Sequence, residues 1–175
     1  MVKRYLTTNY YHPSISDDII GVEVCAAIKN IFSMVIGASQ GLCNLIIPKE
    51  VREKNYLNTA AALVHESICE MIIFTEKLKG KKETVLGLAG IGDLYVSADG
   101  GRNSKMGEYL GQGMTYKEAK KTKMPNDTIE GADLALEIGS KLKSDFDTKT
   151  LPLMMSVINT ICDEEPLKVN WKNFK

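Results

Sequence analysis

The chain has 175 residues, 44% hydrophobic and 25% charged, and its 22 lysines and arginines balance 22 aspartates and glutamates. That length supports one domain with a core of its own. Zero net charge lacks the basic excess of a nucleic-acid binder, and the apolar content excludes a disordered acidic chain.

The opening, MVKRYLTTNYYHPS, has no apolar segment of the secretory type. Residues Arg4 to Tyr11 are aromatic and β-prone, which favours a strand, although a lone strand has nothing to pair with. Pro13 and the acidic pair after Ser16 mark a break and a helix cap. From Asp18 to Ser39 the pattern is a long buried helix, with Gly41 as its stop. Glu23, Lys29 and Asn30 interrupt its apolar run, which favours a buried soluble helix over a membrane span. Leu42 to Leu57, with Pro48 and KEVREK, reads as a surface excursion.

Asn58 is positioned to cap a second long helix that ends before Gly80, the expected C-terminal glycine. A glycine-rich helical piece, ETVLGLAGIGDLYVS, leads into the loop SADGG and a helix from Asn103 to Leu110. Thr115 and Glu118 have capping-box spacing. After the break at Pro125–Asp127, Glu130 to Leu142 is helical, with Ala132, Ala135, Leu136 and Ile138 inward. Pro152 suits the first turn of a helix through Cys162, and a short terminal helix is expected from Pro166. The reading is all-α, with seven to nine helices.

Cys25, Cys43, Cys69 and Cys162 share no metal-like spacing and read as reduced, structural thiols of a cytoplasmic protein. His65 and Glu66 lie mid-helix with no metal constellation expected around them.

Two places carry chemistry. Lys29 lies deep in an apolar helix, on a face with Val22, Cys25, Ala26, Ser33 and Ile36. One reading is a lysine that snorkels out of a core helix. The other is an amine in a dry site, where lost hydration favours the neutral form and makes it a usable acid or base. In GLAGIGDLYVSADGGRN, Asp93 and Ser97 fall one turn apart, Gly100 and Gly101 permit a sharp turn, and Arg102 and Asn103 open a helix. Free N–H groups at a helix start together with an arginine make a phosphate cradle. The plain alternative is a glycine-rich connector with an exposed arginine. Neither a P-loop nor a GxGxxG fingerprint is present.

GVEVCAAIKN (21–30), NTAAAL (58–63), GLAGIGDLYVS (87–97), GGRN (100–103), LGQGMTYKEA (110–119) and IEGA (129–132) stand in a fixed order. In that order they resemble the C-terminal domain of NAD(P)-dependent glycerol-3-phosphate dehydrogenases over nearly the whole chain. The resemblance implies a multi-helix bundle like the 6-phosphogluconate dehydrogenase C-terminal-domain fold. It implies a crossover remnant at 1–17 and a helical substrate-binding domain at 18–175. It makes Lys29 the general acid/base toward dihydroxyacetone phosphate, with Asn30 and Asp93 orienting the lysine and the substrate hydroxyls. Gly101, Arg102 and Asn103 would hold the phosphate, Ser97 takes a position that is commonly a hydroxyl residue, and Arg102, Thr128 and Glu130 would reach NAD or NADP. The Rossmann half and a second catalytic lysine are expected upstream, so the isolated chain is expected to be inactive. The NAD-versus-NADP choice belongs to that half. Departures from the resemblance are an insertion near residues 43–57 and Ala60 in place of a basic residue.

Two rivals remain. One is a helical dimerisation or interaction module without substrate binding. The other is a sister dehydrogenase for a non-phosphorylated hydroxyacid, which the GGRN cradle disfavours.

Overall fold

The computed structural model describes residues 2–48 and 55–174, and these form helices with no strand among them. In chain order they are α1 (Val2–Leu6), α2 (Ile19–Ile46), α3 (Leu57–Lys77), α4 (Lys82–Val85), a π-turn (Leu88–Gly92), α5 (Asp93–Ala98), α6 (Arg102–Gly111), α7 (Tyr116–Thr122), α8 (Glu130–Asp145), α9 (Pro152–Cys162) and a 3-10 turn (Trp171–Asn173).

The architecture is one central helix with the others around it. α2 packs against α3, α5, α6, α8 and α9. Residues 31–39 of α2 are all buried, as expected of a helix that is apolar on every side. Its side chains Ile28, Ile31, Phe32, Met34 and Val35 meet Leu63, Met71, Met106, Leu153, Val157 and Ile158 in one core. By length and composition α2 and α3 could each cross a membrane, but half of the apolar stretch of α2 is buried in this fold.

The contact between α2 and α6 is a seam of glycines. A Cβ at Gly37 would lie 2.1 Å from the Ser104 carbonyl oxygen, and one at Gly107 would lie 1.8 Å from that of Met34. Gly41 and Gly111 continue the seam, one turn further along their helices. The two backbones therefore touch, which ordinary side chains would prevent.

Several sequence expectations are corrected here. The segment beginning at Arg4 is not a strand: α1 occupies Val2–Leu6, and Thr7 donates its N–H and hydroxyl to the Lys3 carbonyl. With no neighbouring strand, the backbone satisfies itself locally. Gly41 does not end α2, because it is a packing glycine of the seam and the helix runs on to Ile46. The first five residues of the expected surface excursion are thus helical, and KEVREK (49–54) lies outside the described residues. α3 begins at Leu57 behind Tyr56, so Asn58 is inside the helix and not its cap. Lys79, at φ 74°, takes the left-handed position expected of Gly80. Gly80 is needed instead for a close approach, since its Cβ would meet the Gly21 Cα at 2.8 Å. Leu136 is exposed, and the chain after Pro166 forms only the Trp171–Asn173 turn.

Other local expectations hold. Asp18 caps α2 by accepting from the Gly21 N–H, Thr115 accepts from the Glu118 N–H, and Pro152 opens α9. The start of α9 is fixed by a buried carboxylate, as Glu70 accepts from the N–H groups of Leu153 (2.5 Å) and Met154 (2.9 Å). That satisfies donors the helix cannot pair itself and sets a negative charge at its positive end. The four cysteines are free thiols. Burial raises the pKa of Cys25 and Cys162.

Gly107→Ala is expected to force α2 and α6 apart and to lower stability by about 3 kcal/mol. A urea midpoint equal to that of the wild type would contradict the seam.

Asp147 Oδ1 accepts from the Thr150 hydroxyl (2.7 Å), the Thr150 N–H (2.7 Å) and the Lys149 N–H (3.0 Å). The Thr150 hydroxyl and then its amide hold this carboxyl below the ordinary aspartate value of 3.8. Its contribution to stability is complete above that value and is lost as pH falls through the lower folded one. Asp147→Asn should flatten the fall of melting temperature below about pH 4, and identical acid slopes in the two proteins would exclude this contribution.

Candidate functional site

Lys29 sits in the third turn of α2, where the buried stretch begins, and its side chain is 19% exposed. Asp93 opens α5 directly after the π-turn. The wide π-turn tucks against α4, and a Cβ at Gly90 would fall 2.0 Å from the Val85 carbonyl oxygen. This route delivers Asp93 to Lys29, whose Nζ donates to Oδ2 at 2.5 Å. The pair is partly shielded from water, so its attraction is screened less than that of a pair on an open surface.

The neighbouring Asn30 begins a second group. Its Oδ1 accepts from Asn103 Nδ2 (3.1 Å), which also donates to Glu130 Oε2 (3.2 Å). Asn103 Oδ1 accepts from the Gly131 N–H (2.8 Å) at the start of α8. Arg102 Nη2 donates to the other Glu130 oxygen, Oε1. Asn103 is buried, so an amide that bonds with both ends is what this position requires. Glu130 is the first residue of α8, where the helix dipole favours its charge. α8 reaches this point because residue 131 is glycine: a Cβ there would lie 2.5 Å from the Asn30 carbonyl oxygen.

The result is two polar groups rooted at neighbouring positions of α2. One is the Lys29–Asp93 pair between α2 and α5, and the other runs from Asn30 through Asn103 and Glu130 to Arg102 across α2, α6 and α8. The side chains of Arg102 and Glu130 remain 53% and 40% exposed. Gly100, at φ +88°, makes the left-handed turn that glycine favours, and Gly101 then caps α6 with extended backbone. The N–H groups opening α6 have no intrahelical partner and can receive an anion.

The predicted residues fall into two bonded sets. Lys29 bonds Asp93, while Asn30, Asn103, Glu130 and Arg102 are linked to one another, with Gly101 adjoining them as the α6 cap. Ser97 is half-buried one turn past Asp93, and Thr128 is exposed two residues before Glu130. No side-chain bond ties either of them to these sets among the described residues. A hollow of about 1250 Å³ lies nearby, lined by the stretch from Tyr10 to Asp17 and by Gly87–Ala89, but neither Lys29 nor Arg102 lines it.

Sequence reasoning missed two features. Asp18 was legible only as a helix cap, yet its second oxygen accepts from the Lys81 N–H and the Thr84 hydroxyl. His65, Glu66 and Cys69, expected to form no metal constellation, place their ligand atoms within 4.8 Å of one another. Positions i, i+1 and i+4 of one helix are neighbours, so this proximity follows from helical spacing itself.

The profile of the family described as NAD-dependent glycerol-3-phosphate dehydrogenase C-terminus matches residues 18–171. The chain is 32% identical over 162 residues to an NADP(+)-dependent glycerol-3-phosphate dehydrogenase of Archaeoglobus fulgidus, covering 90% of this chain and 46% of that protein. It is 35% identical over 146 residues to a glycerol-3-phosphate dehydrogenase [NAD(P)+] of Clostridium tetani, covering 81% of this chain and 38% of that protein. The crystal structure of glycerol-3-phosphate dehydrogenase from Coxiella burnetii matches with TM-score 0.75 and 29% identity, over 94% of this chain and 47% of that one. The chain thus spans less than half the length of these relatives. It belongs to the family of NAD-dependent glycerol-3-phosphate dehydrogenase C-terminal domains.

Proposed function

We propose that the chain is the substrate-binding and proton-transferring domain of an NAD(P)-dependent glycerol-3-phosphate dehydrogenase, which interconverts sn-glycerol 3-phosphate and dihydroxyacetone phosphate. The observation that supports this reading is the neighbourhood in α2 of Lys29, paired with Asp93, and Asn30, bonded to Asn103 in the first turn of α6. It puts the residue next to the proposed proton donor against the helix start proposed to bind the anion.

In the reduction direction the Lys29 ammonium gives a proton to the carbonyl oxygen, and in oxidation the amine takes it back. Asp93 holds the amine in place. Arg102, with the N–H groups that open α6, binds the phosphate. A phosphate competes with Glu130 for the guanidinium, so substrate binding loosens the Arg102–Glu130 pair. Asn103 holds Asn30 and the start of α8 in register meanwhile. Ser97 lies close enough along α5 to meet a substrate hydroxyl beside Asp93. Arg102, Thr128 and Glu130 are accessible from outside, which suits contact with a nucleotide carried by a separate domain. That nucleotide supplies the hydride.

The purified chain alone is expected to show no turnover of dihydroxyacetone phosphate with NADH, and measurable turnover would overturn the division of labour. Fused behind the nucleotide-binding half of the Clostridium tetani relative, it should turn over substrate. In that fusion Lys29→Met should lower kcat by about 10²- to 10⁴-fold. An undiminished kcat would remove Lys29 from the chemistry.

Arg102→Ala should raise KM for dihydroxyacetone phosphate by about tenfold or more while the helical content is preserved. Retained phosphate affinity would leave the chain as an interaction module only.

A further inference from the structure

Asp18 is 6% exposed and uses both carboxylate oxygens. Oδ1 accepts from the Gly21 N–H (2.9 Å), inside the first turn of α2. Oδ2 accepts from the Lys81 N–H (2.8 Å) and the Thr84 hydroxyl (2.6 Å), at the start of and within α4. From Gly21, α2 runs about two turns to Lys29. From Thr84, the chain runs through the π-turn to Asp93. The same two segments therefore meet twice, at Asp18 and at the Lys29–Asp93 pair. At the first meeting the backbones are in contact, because a Cβ on Gly80 would lie 2.9 Å from the Gly21 nitrogen.

We infer that Asp18 is a positioning residue for the Lys29–Asp93 pair: it fixes the start of α2 to α4 and so sets where Asp93 arrives relative to the Lys29 amine. Capping alone does not require aspartate, since asparagine caps a helix equally well. Asparagine has a single acceptor oxygen, however, and it cannot accept from Gly21 on one side and from Lys81 on the other. The carboxylate is what the second, long-range half of the clamp demands. The functional consequence rests on the proton-transfer role proposed for Lys29, whereas the geometric claim does not.

The test separates the two. Asp18→Asn keeps the helix cap and cuts the clamp, and Thr84→Val removes one donor of the clamp without touching the cap. In the chain itself, the readout is the side-chain ammonium ¹H–¹⁵N signal of Lys29, identified by its loss in Lys29→Met. Both variants are expected to shift or broaden that signal while circular dichroism stays unchanged, and Thr84→Ser should restore it. In the fusion with a nucleotide-binding half, both should lower kcat about tenfold or more, with KM for dihydroxyacetone phosphate little changed. A wild-type Lys29 signal in Thr84→Val overturns the proposal, even if Asp18→Asn proves unfolded. An altered signal with kcat unchanged keeps the positioning role and sinks the catalytic role of Lys29 instead.

Discussion

The backbone contact between α2 and α6 is the constraint on which the rest depends. Helices with ordinary side chains at their interface stay 8–10 Å apart. The seam of Gly37, Gly41, Gly107 and Gly111 removes those side chains, so the Ser104 and Met34 carbonyls lie where β-carbons would otherwise be. This fixes both the distance and the register of the two helices. The register decides which polar side chains meet, because Lys29 and Asn30 lie just before the seam on α2, and Arg102 and Asn103 lie just before it on α6. A slip of one residue on either helix would turn Asn103 away from Asn30. Gly131 repeats the device for α8 and delivers Glu130 to the same place.

The site built on this frame is charge-balanced and graded in exposure. Lys29 and Asp93 form the more shielded pair, and Arg102 and Glu130 the more open one. Shielding strengthens an ion pair, and exposure allows it to exchange partners. Asn103, with its amide satisfied at both ends, ties Glu130 to Asn30, the residue next to Lys29.

Glu70 ties α3 to α9. It holds the first N–H groups of α9 from the middle of α3, in the core and far along the chain from its partners. Aspartate and glutamate thus appear in this fold in two guises. At Asp18 and Glu70 they finish helix starts, and at Asp93 and Glu130 they hold cations.

Local chemistry made much of the helical order readable. The caps at Asp18 and Thr115, proline at the head of α9, and the apolar period of α2 and α3 depend on residues within a turn or two of each other. So does the helix start at Arg102, and with the family motifs this made candidate site residues nameable. Where the sequence misled, a distant partner had intervened. Gly41 is a stop by local rules and a spacer once α6 lies on it, and Gly80 is a cap by local rules and a contact point once Gly21 faces it. Lys79 takes the left-handed turn that local rules give to Gly80. The sequence alone determined that the chain is helical and which side chains are candidates for chemistry, since the first follows from residue type and short-range spacing and the second from those and the family motifs. Only the tertiary structure decided which of those side chains meet, because that turns on how closely backbones far apart in the chain can approach.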